Sequence, residues 1–185
     1  MSRLAPLLDR NHRFAESGAY RDVSIMPRHP VFVITCLDPR VDPAAFLGIG
    51  LGDAMVIRNA GGRVTPEVLR DLAFISILAE GQVPEGPLFE IAVVHHTQCG
   101  TGFLASEPFR RRFAERSGTD EDVLAALAVT DPAESVRADV AHILKTASIS
   151  PRATVSGHVY DVETGQVHTV LDSTRLGDAS AEVGR

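Results

Sequence analysis

Three short runs of apolar and β-branched residues, Val31–Thr35, Ala54–Ile57 and Phe89–His95, are separated by stretches whose apolar residues recur at helical spacing. Runs that are apolar on consecutive residues suit strands covered on both faces, and strands joined through helices pair in parallel by right-handed crossovers. Between the first two runs, Asp42-Pro43 opens a short helix to Leu47, with Asp as the cap and Pro in the first turn. Thr65-Pro66-Glu67 repeats that start, and Val68, Leu69, Leu72, Ala73, Ser76 and Ala79 form an apolar stripe expected to stop at Gly81. Asp131-Pro132-Ala133-Glu134 starts another helix, with Val136, Val140, Ile143, Leu144 and Ala147 facing the sheet. Thr154–Tyr160 and Gln166–Leu171 flank the turn Asp161–Gly165 and read as a strand pair. The predicted fold is α/β: a mainly parallel central sheet with flanking helices and an antiparallel edge strand, in one domain over 1–185 with a flexible tail at 173–185.

A chain of 185 residues, 44% of them hydrophobic, can bury a substantial single core. Its formal charge of -6 excludes a phosphate-binding surface, so nucleic acid is not an expected partner. The basic group Arg110, Arg111, Arg112 and Arg116 lies among Phe109 and Phe113 and reads as a solvated helix face. No apolar run is long enough to span a bilayer, and Met1–Arg13 lacks the apolar core of a signal peptide, so the expectation is a cytoplasmic protein without a membrane partner. Two cysteines make no disulfide framework; in a reducing compartment they are buried, metal-binding or catalytic, and their neighbours decide which.

Those neighbours are informative. Cys36-Leu37-Asp38-Pro39-Arg40 follows the first strand and His96-Thr97-Gln98-Cys99 follows the third, and in parallel sheets sites form beyond the carboxyl ends of strands. Thiolate and imidazole are good zinc ligands, and three protein ligands with a nearby carboxylate suit a reactive ion better than a closed structural one. The spacing of two residues lets one turn present His96 and Cys99 to the same ion, while His95 points to the other face and reads as a buried imidazole beneath the site. Asp38 and Arg40, two apart in an extended segment that Pro39 stiffens, can form a charge-assisted pair. Gly61 and Gly62 could bring backbone N–H groups near substrate oxygens, or form a plain turn. The glycine run Gly48-Ile49-Gly50-Leu51-Gly52 precedes a strand instead of following one, which excludes the dinucleotide fingerprint.

The succession Cys36-x-Asp38-x-Arg40, then Arg58-Asn59-Ala60-Gly61-Gly62, then His96-x-x-Cys99-Gly100 resembles the β-class carbonic anhydrases, in particular the small prokaryotic subgroup. The chain has no Trp, so the Trp-built bicarbonate pocket of the regulated subgroup is not reproduced. The resemblance implies one zinc ion per chain held by Cys36, His96 and Cys99, with the fourth position alternating between water and Asp38, and catalytic roles for Asp38 and Arg40. The implied activity is reversible hydration of carbon dioxide to bicarbonate and a proton by zinc-bound hydroxide. It further implies a homodimer or larger homo-oligomer, with a helical arm within residues 1–20 packing across to the partner. Two other functions share this inventory: a carbon disulfide or carbonyl sulfide hydrolase on the same scaffold, and a non-catalytic zinc protein whose metal Asp38 closes.

Overall fold

In the computed structural model, which describes residues 2–178, the three apolar runs become neighbouring strands of one five-stranded sheet. These are β1 (Val31–Cys36), β2 (Met55–Asn59) and β3 (Glu90–His96), followed by β4 (Thr154–Tyr160) and β5 (Val167–Arg175). The strand order is β2-β1-β3-β4-β5, parallel except for the antiparallel β4–β5 pair at one edge. In β1 every residue from Phe32 to Cys36 is buried, as a strand covered on both faces requires.

The helices that accompany the sheet include α1 (Ala5–Ser17), α2 (Pro43–Phe46), α3 (Pro66–Gln82), α4 (Glu107–Ser117), α5 (Glu121–Ala126) and α6 (Pro132–Leu144). Asp42 caps α2 through the Ala44 N–H, and Asp131 caps α6 through the N–H groups of Ala133 and Glu134 at 2.9 and 3.1 Å. Caps of this kind are worth about 1 kcal/mol each. Val68 and Leu72 of α3 and Val136, Val140 and Ile143 of α6 pack with strand residues such as Ile34, Ile91 and Val155 into one core. Gly157 makes this possible, because a Cβ there would run into Val136 Cγ1 and push α6 off the sheet.

Three expectations shift. Gly81 does not stop α3, which runs one residue further; the next residue, Val83, takes φ -122° because Pro84 disfavours helical geometry in the residue before it. α6 ends at Leu144, so Ala147 lies beyond its stripe. β5 continues to Arg175, which pairs with Thr154, so residues 173–175 belong to the sheet and not to a tail; 179–185 lie outside the described residues.

The arginine-rich stretch is α4, where Arg111 pairs with Glu107 one turn away and Arg110 donates to the Leu104 carbonyl at 2.9 Å. α1 buries none of its residues and leaves Leu7, Leu8 and Phe14 exposed. Among the described residues no helix is long and apolar enough to cross a membrane.

Candidate metal centre

Parallel pairing of β1 with β3 brings their carboxyl ends to the same edge of the sheet, Thr35 opposite Val94. Cys36 ends β1 and His96 ends β3, both nearly inaccessible to solvent. Beyond His96 the chain turns sharply: the Thr97 N–H donates to the Tyr160 carbonyl at 3.0 Å, and Gln98 takes the left-handed φ of 56° that few residues with a side chain adopt. That turn delivers Cys99 beside Cys36, with the two sulfurs 4.0 Å apart. One ligand atom from each of Cys36, His96 and Cys99 lies within 4.8 Å of the other two.

The donor set fits a zinc ion. Two sulfurs bound at about 2.3 Å in a tetrahedron stand about 3.8 Å apart, close to the separation seen. His96 Nδ1 lies 2.9 Å from the Thr97 carbonyl and so carries the proton, leaving Nε2 as a lone pair. Nε2 is buried without a hydrogen-bond partner, a costly condition unless a cation takes that lone pair. The thiols show the same need: the hydrogen bond between them lowers Cys99 and raises Cys36, so a bare pair shares one proton. A dication stabilises both thiolates.

Asp38 stands beside this cluster and does not join it. Arg40 grips its carboxylate with two prongs, Nε to Oδ1 at 3.0 Å and Nη2 to Oδ2 at 2.8 Å, and the Arg40 backbone N–H adds a third bond at 2.9 Å. These bonds outweigh burial and hold Asp38 down to about 2, so it is an ionised, acceptor-only group at neutral pH.

The segment that carries Cys36 and Asp38 is itself clamped. Arg58, at the end of β2, donates from Nε to the Cys36 carbonyl at 3.0 Å and from Nη2 to the Asp38 carbonyl at 2.8 Å. Gly61 and Gly62, read as either a substrate-facing pair of N–H groups or a plain turn, are buried against the same segment. The Asp38 N–H donates to the Cys36 sulfur at 3.4 Å, and a Cβ on Gly62 would stand 2.9 Å from the Thr35 carbonyl carbon.

Beneath the site His95 is fully buried, as its position on the opposite face of the strand end requires. Its Nε2 donates to the Gly62 carbonyl at 3.1 Å and to Asp139 Oδ2 at 3.2 Å. Asp139 also takes both prongs of Arg63, at 2.8 and 3.0 Å, and the Val64 N–H at 3.1 Å. Sequence reasoning missed Arg63 and Asp139. The signal was present: Asp139 interrupts the stripe of Val136, Val140 and Ile143 at the helical spacing of that stripe, and a carboxylate in a core-facing position needs a partner.

The sequence pattern of the carbonic anhydrase family matches residues 31–115. "Beta-carbonic anhydrase 1" of Mycobacterium tuberculosis is 30% identical over 154 residues, 83% of this chain and 90% of that protein. The "Carbon disulfide hydrolase" of an Acidianus strain is 29% identical over 182 residues, covering 85% of each chain. Among solved structures, the carbonic anhydrase of Streptococcus mutans superposes with a TM-score of 0.75 at 34% identity, covering 92% of this chain and 98% of that one. With the α/β sheet and the paired strand-tip motifs, these similarities establish that the chain belongs to the β-carbonic anhydrase family.

Proposed function

We propose that this chain holds one zinc ion with Cys36, His96 and Cys99 and catalyses the reversible hydration of carbon dioxide to bicarbonate and a proton. The observation that carries the reading is the convergence of two sulfurs and the bare Nε2 of His96 next to a carboxylate kept away by Arg40. Zinc with an open position supplies Lewis acidity, lowering the pKa of a coordinated water from about 16 to about 7.

The protein's own groups then supply position and proton control. Asp38 is ionised and can accept the O–H of a reacting water at Oδ1 or Oδ2, orienting the oxygen lone pair towards the substrate carbon. Arg40 keeps that carboxylate from acting as a ligand. The Asp38 N–H supports the Cys36 sulfur, and the glycine pair gives that segment the room to pack closely, with any contact to substrate oxygens secondary. Arg58 fixes the backbone on which both Cys36 and Asp38 ride.

The similarity to the Acidianus hydrolase supports a second reading, hydrolysis of carbon disulfide or carbonyl sulfide at the same centre, because these are linear molecules with an electrophilic carbon like carbon dioxide. The third possibility, a closed non-catalytic metal with Asp38 as fourth ligand, is disfavoured by the grip of Arg40 on both carboxylate oxygens. We further infer a homodimer or larger homo-oligomer whose subunits exchange the α1 arm, since α1 stands free with exposed Leu7, Leu8 and Phe14.

Metal analysis together with stopped-flow hydration on wild type and Asp38→Ala tests the assignment. The expected result is one zinc per chain in both proteins and hydration at least about 100-fold slower in the variant, the usual worth of a positioned proton-handling group. A wild type that carries zinc, turns over carbon disulfide and leaves carbon dioxide untouched would transfer the assignment to the second reading.

A further inference from the structure

Arg40 is also held on the side facing away from Asp38. Nη1 donates to Gln98 Oε1 at 3.3 Å and Nη2 to the Gln98 carbonyl at 3.1 Å, so all three guanidinium nitrogens are engaged. Both Gln98 acceptors meet Arg40 from a residue with a left-handed backbone. The Gln98 amide is committed in turn, with Nε2 donating to Glu163 Oε1 at 2.6 Å.

Glu163 lies in the turn between β4 and β5, and that turn is stitched to the ligand-bearing loop. The Glu163 N–H donates to Asp161 Oδ1 at 2.8 Å, and the Val162 N–H donates to Thr97 Oγ1 at 3.1 Å. A line of contacts therefore runs from the sheet edge through Glu163, Gln98 and Arg40 to Asp38.

We propose that Glu163 and Gln98 are positioning residues which lock Arg40 in its two-pronged grip and so keep the Asp38 carboxylate off the Cys36–His96–Cys99 cluster. The inference rests on the reading that this cluster holds a metal. The physical need is plain: the Arg40 side chain is 48% exposed, and an exposed ion pair on a long flexible side chain is weak because holding it costs rotamer entropy. A guanidinium fixed on both edges has fewer alternatives to lose, and its fork stays aligned with the carboxylate. Carboxylate oxygen is also a good zinc ligand, so an Asp38 released from Arg40 competes with water or an exogenous anion for the open position.

The test uses the full chain loaded with cobalt(II), whose visible absorption reports its ligands, titrated with azide at neutral pH alongside metal analysis and thermal unfolding. Glu163→Ala should weaken azide binding about five-fold, with full metal content and an unchanged unfolding temperature, the loss of one partly exposed hydrogen-bonded link in the line. Glu163→Gln keeps an oxygen for the Gln98 amide and should bind azide within about two-fold of wild type. Gln98→Asn tolerates the left-handed backbone but is too short to bridge; it should resemble Glu163→Ala, and combining the two should add little. Wild-type azide affinity in Glu163→Ala, or no recovery in Glu163→Gln, overturns the proposal. A wild type that takes up no cobalt removes the functional reading, and the brace loses its purpose with it.

Discussion

Replacing Asp139 by Asn probes the buried support beneath the site, and its effect can be worked out from the surroundings. Burial alone would raise the Asp139 pKa, but the hydrogen bonds from His95 and Arg63 and their charges outweigh it and hold the group down to about 2. The unfolded chain titrates near 3.8, so the displacement is 3.8 minus about 2, close to 1.8 units, or about 2.5 kcal/mol at 1.36 kcal/mol per unit. The side chain is only 5% exposed, so little of this is lost to solvent screening. Because the folded value lies below the unfolded one, the contribution is complete above pH about 5, about half gone at pH 3 and lost below pH 2.

The variant loses this contribution and leaves Arg63, 12% exposed, without its counter-charge, which places the expected cost at about 3 kcal/mol at pH 7. Urea unfolding of metal-free wild type and Asp139→Asn, at one protein concentration and at pH 7 and pH 3, measures both numbers without interference from zinc release. The gap between the two proteins should shrink by about 1 kcal/mol or more at the lower pH. Equal stability at pH 7, or a gap that does not change with pH, would refute the reasoning.

Other perturbations separate the roles of individual positions. Gly62→Ala combines a φ of 68° with a Cβ 2.9 Å from main chain, and should cost about 2 kcal/mol or more while lowering zinc content, whereas Gly81→Ala, with open space in a helix, should add about 0.5–1 kcal/mol; thermal melts and metal analysis read both. Cys99→Ser replaces a soft thiolate with a poor zinc ligand and should weaken zinc binding at least about 100-fold in a competition titration with a chromophoric chelator. Removal of residues 1–18 should convert the assembly to a smaller species by light scattering, because the exposed apolar side of α1 has no use within its own subunit; an unchanged mass would sink the exchanged-arm reading.

The sheet was legible because β1, β2 and β3 carry apolar residues in succession and are spaced by helices that open on a proline, signals that depend on near neighbours alone, although β2 proves to be an edge strand and Thr65 makes no cap hydrogen bond to α3. The convergence of Cys36, His96 and Cys99 could also be anticipated, since parallel strands place their ends together. What escaped notice depends on contacts distant in sequence. Arg63 meets Asp139 across 76 residues and Gln98 meets Glu163 across 65, and no local pattern joins them. Gly81 shows the opposite failure: the helix runs one residue past this local stop signal and ends only ahead of Pro84. The apolar outer side of α3, with Phe74, Ile77 and Leu78 exposed, likewise does not follow from the stripe that faces the core.

Cys36 and Cys99 are 63 residues apart, and Glu163 comes 65 residues after Gln98. A chain emerging from the ribosome therefore presents Cys36 and Asp38 long before their counterparts exist, and parallel pairing across such distances is slow to form. A metal ion that arrived early would meet only a lone thiol and a loose loop. On the proposed reading, Cys36, His96 and Cys99 could capture a metal only once the third strand is made, and the Glu163–Gln98–Arg40 line would be complete only when the last hairpin closes, so maturation of the centre would follow the order of synthesis.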